Sequence, residues 1–137
     1  MKNLEIIILA AGKGTRMKSI KPKILHELGG KQIIDYVIEA SNRLKPKRIH
    51  LVVNNQIKNN FKKNNNLNIV IQKKQNGTGD AIKSAIKSLK KDSVALVLYG
   101  DVPLIKHKTI LNVSKIKTNK VNLLCFNNCL LYTSPSP

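Results

Sequence analysis

Leu4-Glu5-Ile6-Ile7-Ile8-Leu9-Ala10-Ala11-Gly12-Lys13-Gly14-Thr15-Arg16-Met17 is a short apolar run that opens into a small, glycine-rich, basic loop. The run reads as a buried strand. Glycine and alanine let a backbone come close to a ligand, and exposed N–H groups in such a loop point at oxyanions. Lys13 and Arg16 add positive charge. At the carboxyl end of a first strand, the loop falls where open α/β sheets bind ligands. It is neither of the two commonest phosphate motifs. A P-loop needs Lys-Ser/Thr after its last glycine, and Gly14 is followed by Thr15-Arg16; a dinucleotide fingerprint needs a third glycine, and Met17 stands there.

Outward from this loop the segments alternate. Strands are expected over Leu4–Leu9, Arg48–Val53, Asn68–Ile71, Val94–Leu98 and Val121–Phe126. Helices are expected over Gln32–Leu44, with Ile33, Ile34, Val37 and Ile38 on one face, and over Thr78–Leu89, with Ala81, Ile82, Ala85, Ile86 and Leu89 as its stripe. Lys108–Ile116 reads as a short helix and Gln56–Lys63 as a weaker one. Strand–helix alternation predicts an α/β fold, a Rossmann-like and mostly parallel sheet with helices on both faces. The apolar runs at 6–9 and 94–98 suit strands buried on both sides.

The chain has 137 residues, the size of one domain, and 42% of them are apolar. No run approaches the ~18–20 apolar residues that span a bilayer. Met1-Lys2-Asn3 leads straight into the first strand and leaves no room for a signal peptide, so a cytoplasmic location is expected. Cys125 and Cys129 are too few for a disulfide framework or zinc site, and His26, His50 and His107 are scattered. The formal net charge of +18 resembles a nucleic-acid signal. It is discounted here: the cations are mostly Lys, and they accompany abundant Asn and Ile, all encoded by A/T-rich codons. The lysines also lack the interleaved aromatics that single-strand binding favours. The expected partners therefore exclude nucleic acid and membrane, while the charge still attracts polyanions such as nucleotides.

Three further segments fall at strand ends or helix starts. Lys21-Pro22-Lys23-Ile24-Leu25-His26 places Lys23 within reach of the glycine loop. Gln72-Lys73-Lys74-Gln75-Asn76-Gly77-Thr78-Gly79-Asp80-Ala81 ends a strand and starts a helix; Gln72 carries donor and acceptor groups suited to a base edge, and Thr78 reads as an N-cap. Tyr99-Gly100-Asp101-Val102-Pro103-Leu104 delivers one of only seven acids, Asp101, to the carboxyl edge of the sheet. A hard cation such as Mg2+ sits between one or two carboxylates and substrate phosphates. Together these segments describe a nucleotide-triphosphate site without a P-loop.

Leu9–Met17, Lys21–His26, Gly77-Thr78-Gly79 and Tyr99–Leu104 resemble the sugar-phosphate nucleotidylyltransferases, over residues 4 to 126. Within them the chain is most similar to the pyrophosphorylase domains that join N-acetylglucosamine 1-phosphate to UTP, giving UDP-N-acetylglucosamine and pyrophosphate for peptidoglycan and lipopolysaccharide precursors. The resemblance implies that Leu9, Ala10, Ala11 and Gly12 contact the uridine nucleotide and that Arg16 and Lys23 are catalytic, holding phosphates and stabilising the leaving pyrophosphate. It implies that Gln72, Gly77 and Thr78 read uracil, and that Tyr99, Gly100 and Asp101 line the nucleotide–sugar junction with Asp101 on Mg2+. The nucleophile, a sugar phosphate oxygen, is already anionic, so catalysis is positioning and charge neutralisation with no general base. Relatives that use CTP or dTTP share the glycine-rich loop, and a basic non-catalytic nucleic-acid-binding module is the rival of another class. Asp80 stands where the family usually has histidine, and Asn54-Asn55 where it has Gly-His. Neither position is expected to be catalytic.

The end of the chain departs further. Cys129-Leu130-Leu131-Tyr132-Thr133-Ser134-Pro135-Ser136-Pro137 continues nothing in the family. These residues can be encoded by TGT CTC TTA TAC ACA TCT CCG AGC CCA, the transposon-end adapter of sequencing libraries. The expectation is that 1–128 is the N-terminal part of a nucleotidyltransferase domain and 129–137 is adapter read-through. The second metal ligand, most sugar-binding residues and the trimer-forming acetyltransferase β-helix then lie beyond the chain, and the 137-residue polypeptide alone is expected to be inactive.

Overall fold

β1 (Leu4–Leu9) is the central strand of a parallel sheet because its six residues are apolar on both faces apart from Glu5. The computed structural model describes residues 3–14, 18–115, 122 and 124. Over these, the chain runs through β1, a hairpin of β2 (Glu27–Leu28) and β3 (Lys31–Gln32), α1 (Ile33–Asn42), β4 (Arg48–Val53), β5 (Leu67–Ile71), α2 (Thr78–Ile86), β6 (Val94–Tyr99) and α3 (His107–Ser114). The sheet order is β5-β4-β1-β6, every pair parallel. The α/β fold and its parallel sheet are as the sequence predicts.

Residue parity divides the core. Ile6 and Ile8 of β1, Ile49, Leu51 and Val53 of β4, and Leu96 and Leu98 of β6 pack with Ile34 and Val37 of α1 and Ile110 of α3. Ile7 and Val52 face the other way, against Ala81 and Ala85 of α2, where small side chains bring the helix close to the sheet. Helices thus cover both faces. The α2 face also holds a polar pair. Glu5 and His50 are 2% and 0% exposed, with His50 Nε2 2.8 Å from Glu5 Oε2. Asn68 Nδ2 lies 3.2 Å from His50 Nδ1, and the backbone N–H of Lys90 donates to Glu5 Oε1 at 3.0 Å. Buried polar groups are tolerated when their partners are supplied in this way.

Four expectations need correcting. Gln56–Lys63 is not a helix: Asn54 Oδ1 accepts from the N–H groups of Gln56 and Ile57, and only a 3-10 turn over Lys58–Asn60 follows. Ile57, 1% exposed, and Phe61 still pack on the core, but Asn side chains that bond nearby backbone compete with a helix in this segment. Ile86 does not join the α2 stripe; it is 53% exposed. β6 is buried on one face alone, with Leu96 and Leu98 inward and Val97 and Tyr99 exposed, because α2, the helix on the other face, packs on β1, β4 and β5. α1 ends at Asn42 rather than Leu44, since Pro46 disfavours helical backbone at Lys45, which sits at φ 49°. The hairpin is an addition. Gly29 and Gly30 supply the two positive φ values, 61° and 79°, that a tight two-residue turn requires.

Of the strand expected over 121–126 only Asn122 and Leu124 are described; the Asn122 amide donates to the carbonyls of Val113 and Lys115, each at 3.1 Å. The tail at 129–137 lies outside the described residues. No helix among the described residues is long and apolar enough to cross a membrane.

Candidate functional site

The chain moves from β1 outward to β4 and β5, then returns across the sheet to place β6 on the other side of β1. The two crossovers therefore use opposite faces, α1 on one and α2 on the other. Their divergence opens a crevice beyond the carboxyl ends of β1 and β6, where Leu9 and Tyr99 are in register. Ligands of open α/β sheets bind at such a switch point. A cleft of about 440 Å³ lies there.

Its floor is the loop after β1. The N–H of Ala10 donates to Val52 O at 2.8 Å, and the Ala11 carbonyl accepts from Asn54 Nδ2 and Gln75 Nε2, each at 3.1 Å. These bonds fix the loop while Gly12 and Lys13 stay exposed. Gly14 lies at φ +58°, and a Cβ on it would stand 3.2 Å from Lys23 Cβ. Glycine is required there both for the left-handed backbone and for the close approach of Lys23.

Lys23 begins a 3-10 turn, Lys23–Leu25, anchored by the buried Ile24 and Leu25. Its Nζ donates to Asp101 Oδ2 at 2.8 Å. Asp101 follows β6 by two residues. Gly100 between them donates its N–H to Leu9 O at 2.8 Å and packs under Ile34. Gly100 supports the floor from behind and does not line the cleft.

The opposite wall comes from β5 and α2. Gln72 directly follows β5 and is 5% exposed. Its Nε2 donates to Asp80 Oδ2 at 2.8 Å and to Gly77 O at 3.3 Å. The N-cap of α2 is Gly77 at φ 93°, ψ −174°, not Thr78 as expected from the sequence; no side-chain cap bond is made. That conformation belongs to glycine, and Thr78 is the first residue of the helix rather than its cap.

The cleft thus gathers Leu9, Ala10, Ala11, Gly12, Lys23, Gln72, Gly77, Thr78, Tyr99 and Asp101, all singled out from the sequence. Arg16 lies outside the described residues. Gln75, Asn54 and Asp80 were missed as supports. Gln75 was visible in the Gln72–Ala81 segment, but no local pattern marks a side chain that holds a carbonyl 64 residues away. No histidine enters the cleft: His50 is buried in the sheet and His26 bonds Ser19 Oγ and the Lys21 carbonyl. Opposite charges, backbone donors and one buried amide make the cleft suited to a phosphate-bearing ligand with a polar ring.

Comparison with known proteins bears on the family and the fold. The bifunctional protein GlmU of Buchnera aphidicola subsp. Acyrthosiphon pisum is 51% identical over 122 residues, 87% of this chain and 27% of the relative. The chain spans about a quarter of the length of such relatives. Among solved structures, 4-diphosphocytidyl-2C-methyl-D-erythritol synthase from Anaerococcus prevotii superposes with a TM-score of 0.66 at 24% identity, covering 82% of this chain and 49% of that one. Rv0371c from Mycobacterium tuberculosis, in a complex with manganese, superposes with a TM-score of 0.66 at 13% identity, covering 82% and 58%. The family model for the MobA-like NTP transferase domain matches residues 6–124, and the chain belongs to that family.

Proposed function

We propose that the protein of which this chain is part is a UTP-dependent sugar-phosphate nucleotidylyltransferase that converts UTP and N-acetylglucosamine 1-phosphate to UDP-N-acetylglucosamine and pyrophosphate. Family membership supports nucleotidyl transfer as the reaction class. The identity to bifunctional GlmU supports the choice of substrates. The observation that carries the reading is the convergence of the 9–14 loop, Lys23, Gln72 and Asp101 on one cleft.

A phosphate oxygen of the sugar phosphate attacks the α-phosphorus of UTP. A P–O bond forms as the α–β bond breaks, and pyrophosphate leaves with the electron pair. No proton need move. The residues act by position and charge: the backbone of Leu9 to Gly12 meets the nucleotide, Lys23 neutralises phosphate charge, and Arg16 does so at the leaving group. Gln72, Gly77 and Thr78 face the base.

Asp101 is the residue that would hold Mg2+. The donor chemistry fits, since a half-exposed carboxylate at a phosphate cleft is a hard oxygen ligand. Among the described residues no group of three or more His, Cys, Asp or Glu side chains could form a metal cage by themselves. Held there, Mg2+ would supply neutralisation of phosphate charge. The manganese complex of a fold neighbour is in keeping with a divalent ion.

The test is pyrophosphate release by the complete gene product from UTP and N-acetylglucosamine 1-phosphate, with CTP and dTTP in parallel. Release with UTP, and a loss of several orders of magnitude in kcat for Arg16→Ala, is expected. No release with UTP, or near-normal turnover by Arg16→Ala, would overturn the reading or the role of Arg16.

A further inference from the structure

Gln72 and Asp80 form a contact that the reaction outlined above does not call for. Gln72 is buried in the wall of the cleft, and its Nε2 reaches Asp80 Oδ2 at 2.8 Å and Gly77 O at 3.3 Å. A backbone carbonyl and a carboxylate only accept hydrogen bonds, and a primary amide has its two donors on nitrogen. The orientation of the amide therefore follows from its partners. Both N–H bonds are committed to the first turn of α2, and Oε1 is the limb left over. Among the described residues nothing donates to Oε1.

We propose that Asp80 is a positioning residue for nucleobase choice, which locks Gln72 so that it offers the cleft an acceptor. The inference rests on the cleft being a nucleotide site. An acceptor at this wall suits a base whose ring edge carries an imide N–H, as uracil and thymine do. It opposes the bare ring nitrogen that cytosine has at the same place, because two acceptors face each other and neither is paired. Without Asp80 the amide is free to turn over and meet cytosine with its nitrogen. Gly77 O alone, at 3.3 Å, is the weaker of the two restraints.

Asp80 also sits in the first turn of α2, where a negative charge is favourable to the helix. Two substitutions separate the roles. Asp80→Asn removes the charge but keeps a carbonyl that accepts from Gln72. Asp80→Ala removes both. In the complete gene product the ratio of kcat/KM for UTP to that for CTP should fall about tenfold in Asp80→Ala, the scale of one hydrogen-bond preference. It should stay within about twofold in Asp80→Asn. If Asp80→Ala does not fold, Gln72→Met removes the presented acceptor and should lower the same ratio.

An unchanged ratio in Asp80→Ala, or in Gln72→Met where that variant stands in, overturns the proposal. So does an equal fall in Asp80→Asn and Asp80→Ala, which would assign the effect to helix charge. A wild-type enzyme that transfers nucleotide but does not prefer UTP over CTP overturns the proposal and leaves nucleotidyl transfer standing. Absence of transfer with every nucleotide overturns the function itself, and the proposal with it.

Discussion

Lys23 Nζ lies 2.8 Å from Asp101 Oδ2, across the mouth of the cleft, with side-chain exposures of 41% and 39%. The two residues are 78 positions apart and come from a 3-10 turn and the segment after β6. A pair this exposed is worth about 0–1 kcal/mol to folding. In the proposed reaction each partner also has a use, Lys23 toward phosphate and Asp101 toward a cation. A pair this weak keeps both side chains at the cleft and would cost little to break on the proposed binding of a nucleotide.

Lys23→Ala should therefore separate stability from activity. The unfolding free energy should change by less than about 1 kcal/mol. Turnover should fall on the order of 10²–10³-fold, as when a preorganised charge-stabilising donor is removed. Denaturant unfolding and steady-state kinetics of the complete gene product check both. Unchanged kcat/KM would show that Lys23 only neutralises Asp101.

Asp101→Asn should shift the metal requirement. The amide keeps the shape and loses the charge. The Mg2+ concentration for half-maximal activity should rise about tenfold or more, the range seen when even a supporting partner of a metal ligand is lost. A titration of rate against Mg2+ measures it. An unaltered midpoint would remove Asp101 from the metal site.

The parallel core was legible because strands alternate with helices and the run at 6–9 of β1 is continuously apolar, as suits the middle of a parallel sheet. The same rule overreached at β6. Val94–Leu98 is all apolar, yet Val97 is 36% exposed, since composition cannot say whether a helix covers the second face of a strand. The cleft residues were legible where each follows a strand. What stayed hidden were contacts between segments far apart in sequence. Asn54 and Gln75 hold the Ala11 carbonyl, and both read locally as loop residues. Gly29-Gly30 between short polar strands was a readable hairpin signal that the hydrophobic pattern did not mark.

Two glycines should respond in opposite ways to alanine. At Gly100 a Cβ would stand 2.8 Å from Ile34 Cδ1 and 3.0 Å from Leu9 O. The isoleucine tip can move, but the carbonyl belongs to the cleft floor. Gly100→Ala should cost about 1–3 kcal/mol, as overpacking does. At Gly79, within α2, a Cβ would meet nothing within 4 Å. Gly79→Ala should be neutral or stabilising by up to about 1 kcal/mol. Urea unfolding of the two variants checks the contrast. Equal effects would contradict the packing beneath Gly100.

Glu5 sets an acid limit on stability. Burial pushes its carboxyl upward, but hydrogen bonds from His50, from the Lys90 N–H and from Ser93, with the field of His50, outweigh it and hold the group below its ordinary value of 4.5. A carboxylate with a depressed folded value stabilises the native state above its ordinary range, and that contribution is lost as pH falls through the folded value. Glu5→Gln keeps an acceptor for the Lys90 N–H and removes the charge facing His50. It should cost about 1–3 kcal/mol at pH 7, as when a buried hydrogen-bonding group loses its partner. The difference from wild type should shrink as pH falls below 4.5, because the wild type loses the same interaction there. Urea unfolding of both proteins at pH 7, 5, 4 and 3.5 reads this directly. A difference that stays constant down to the lowest pH would mean that the Glu5 charge contributes nothing and that the loss at pH 7 is packing alone.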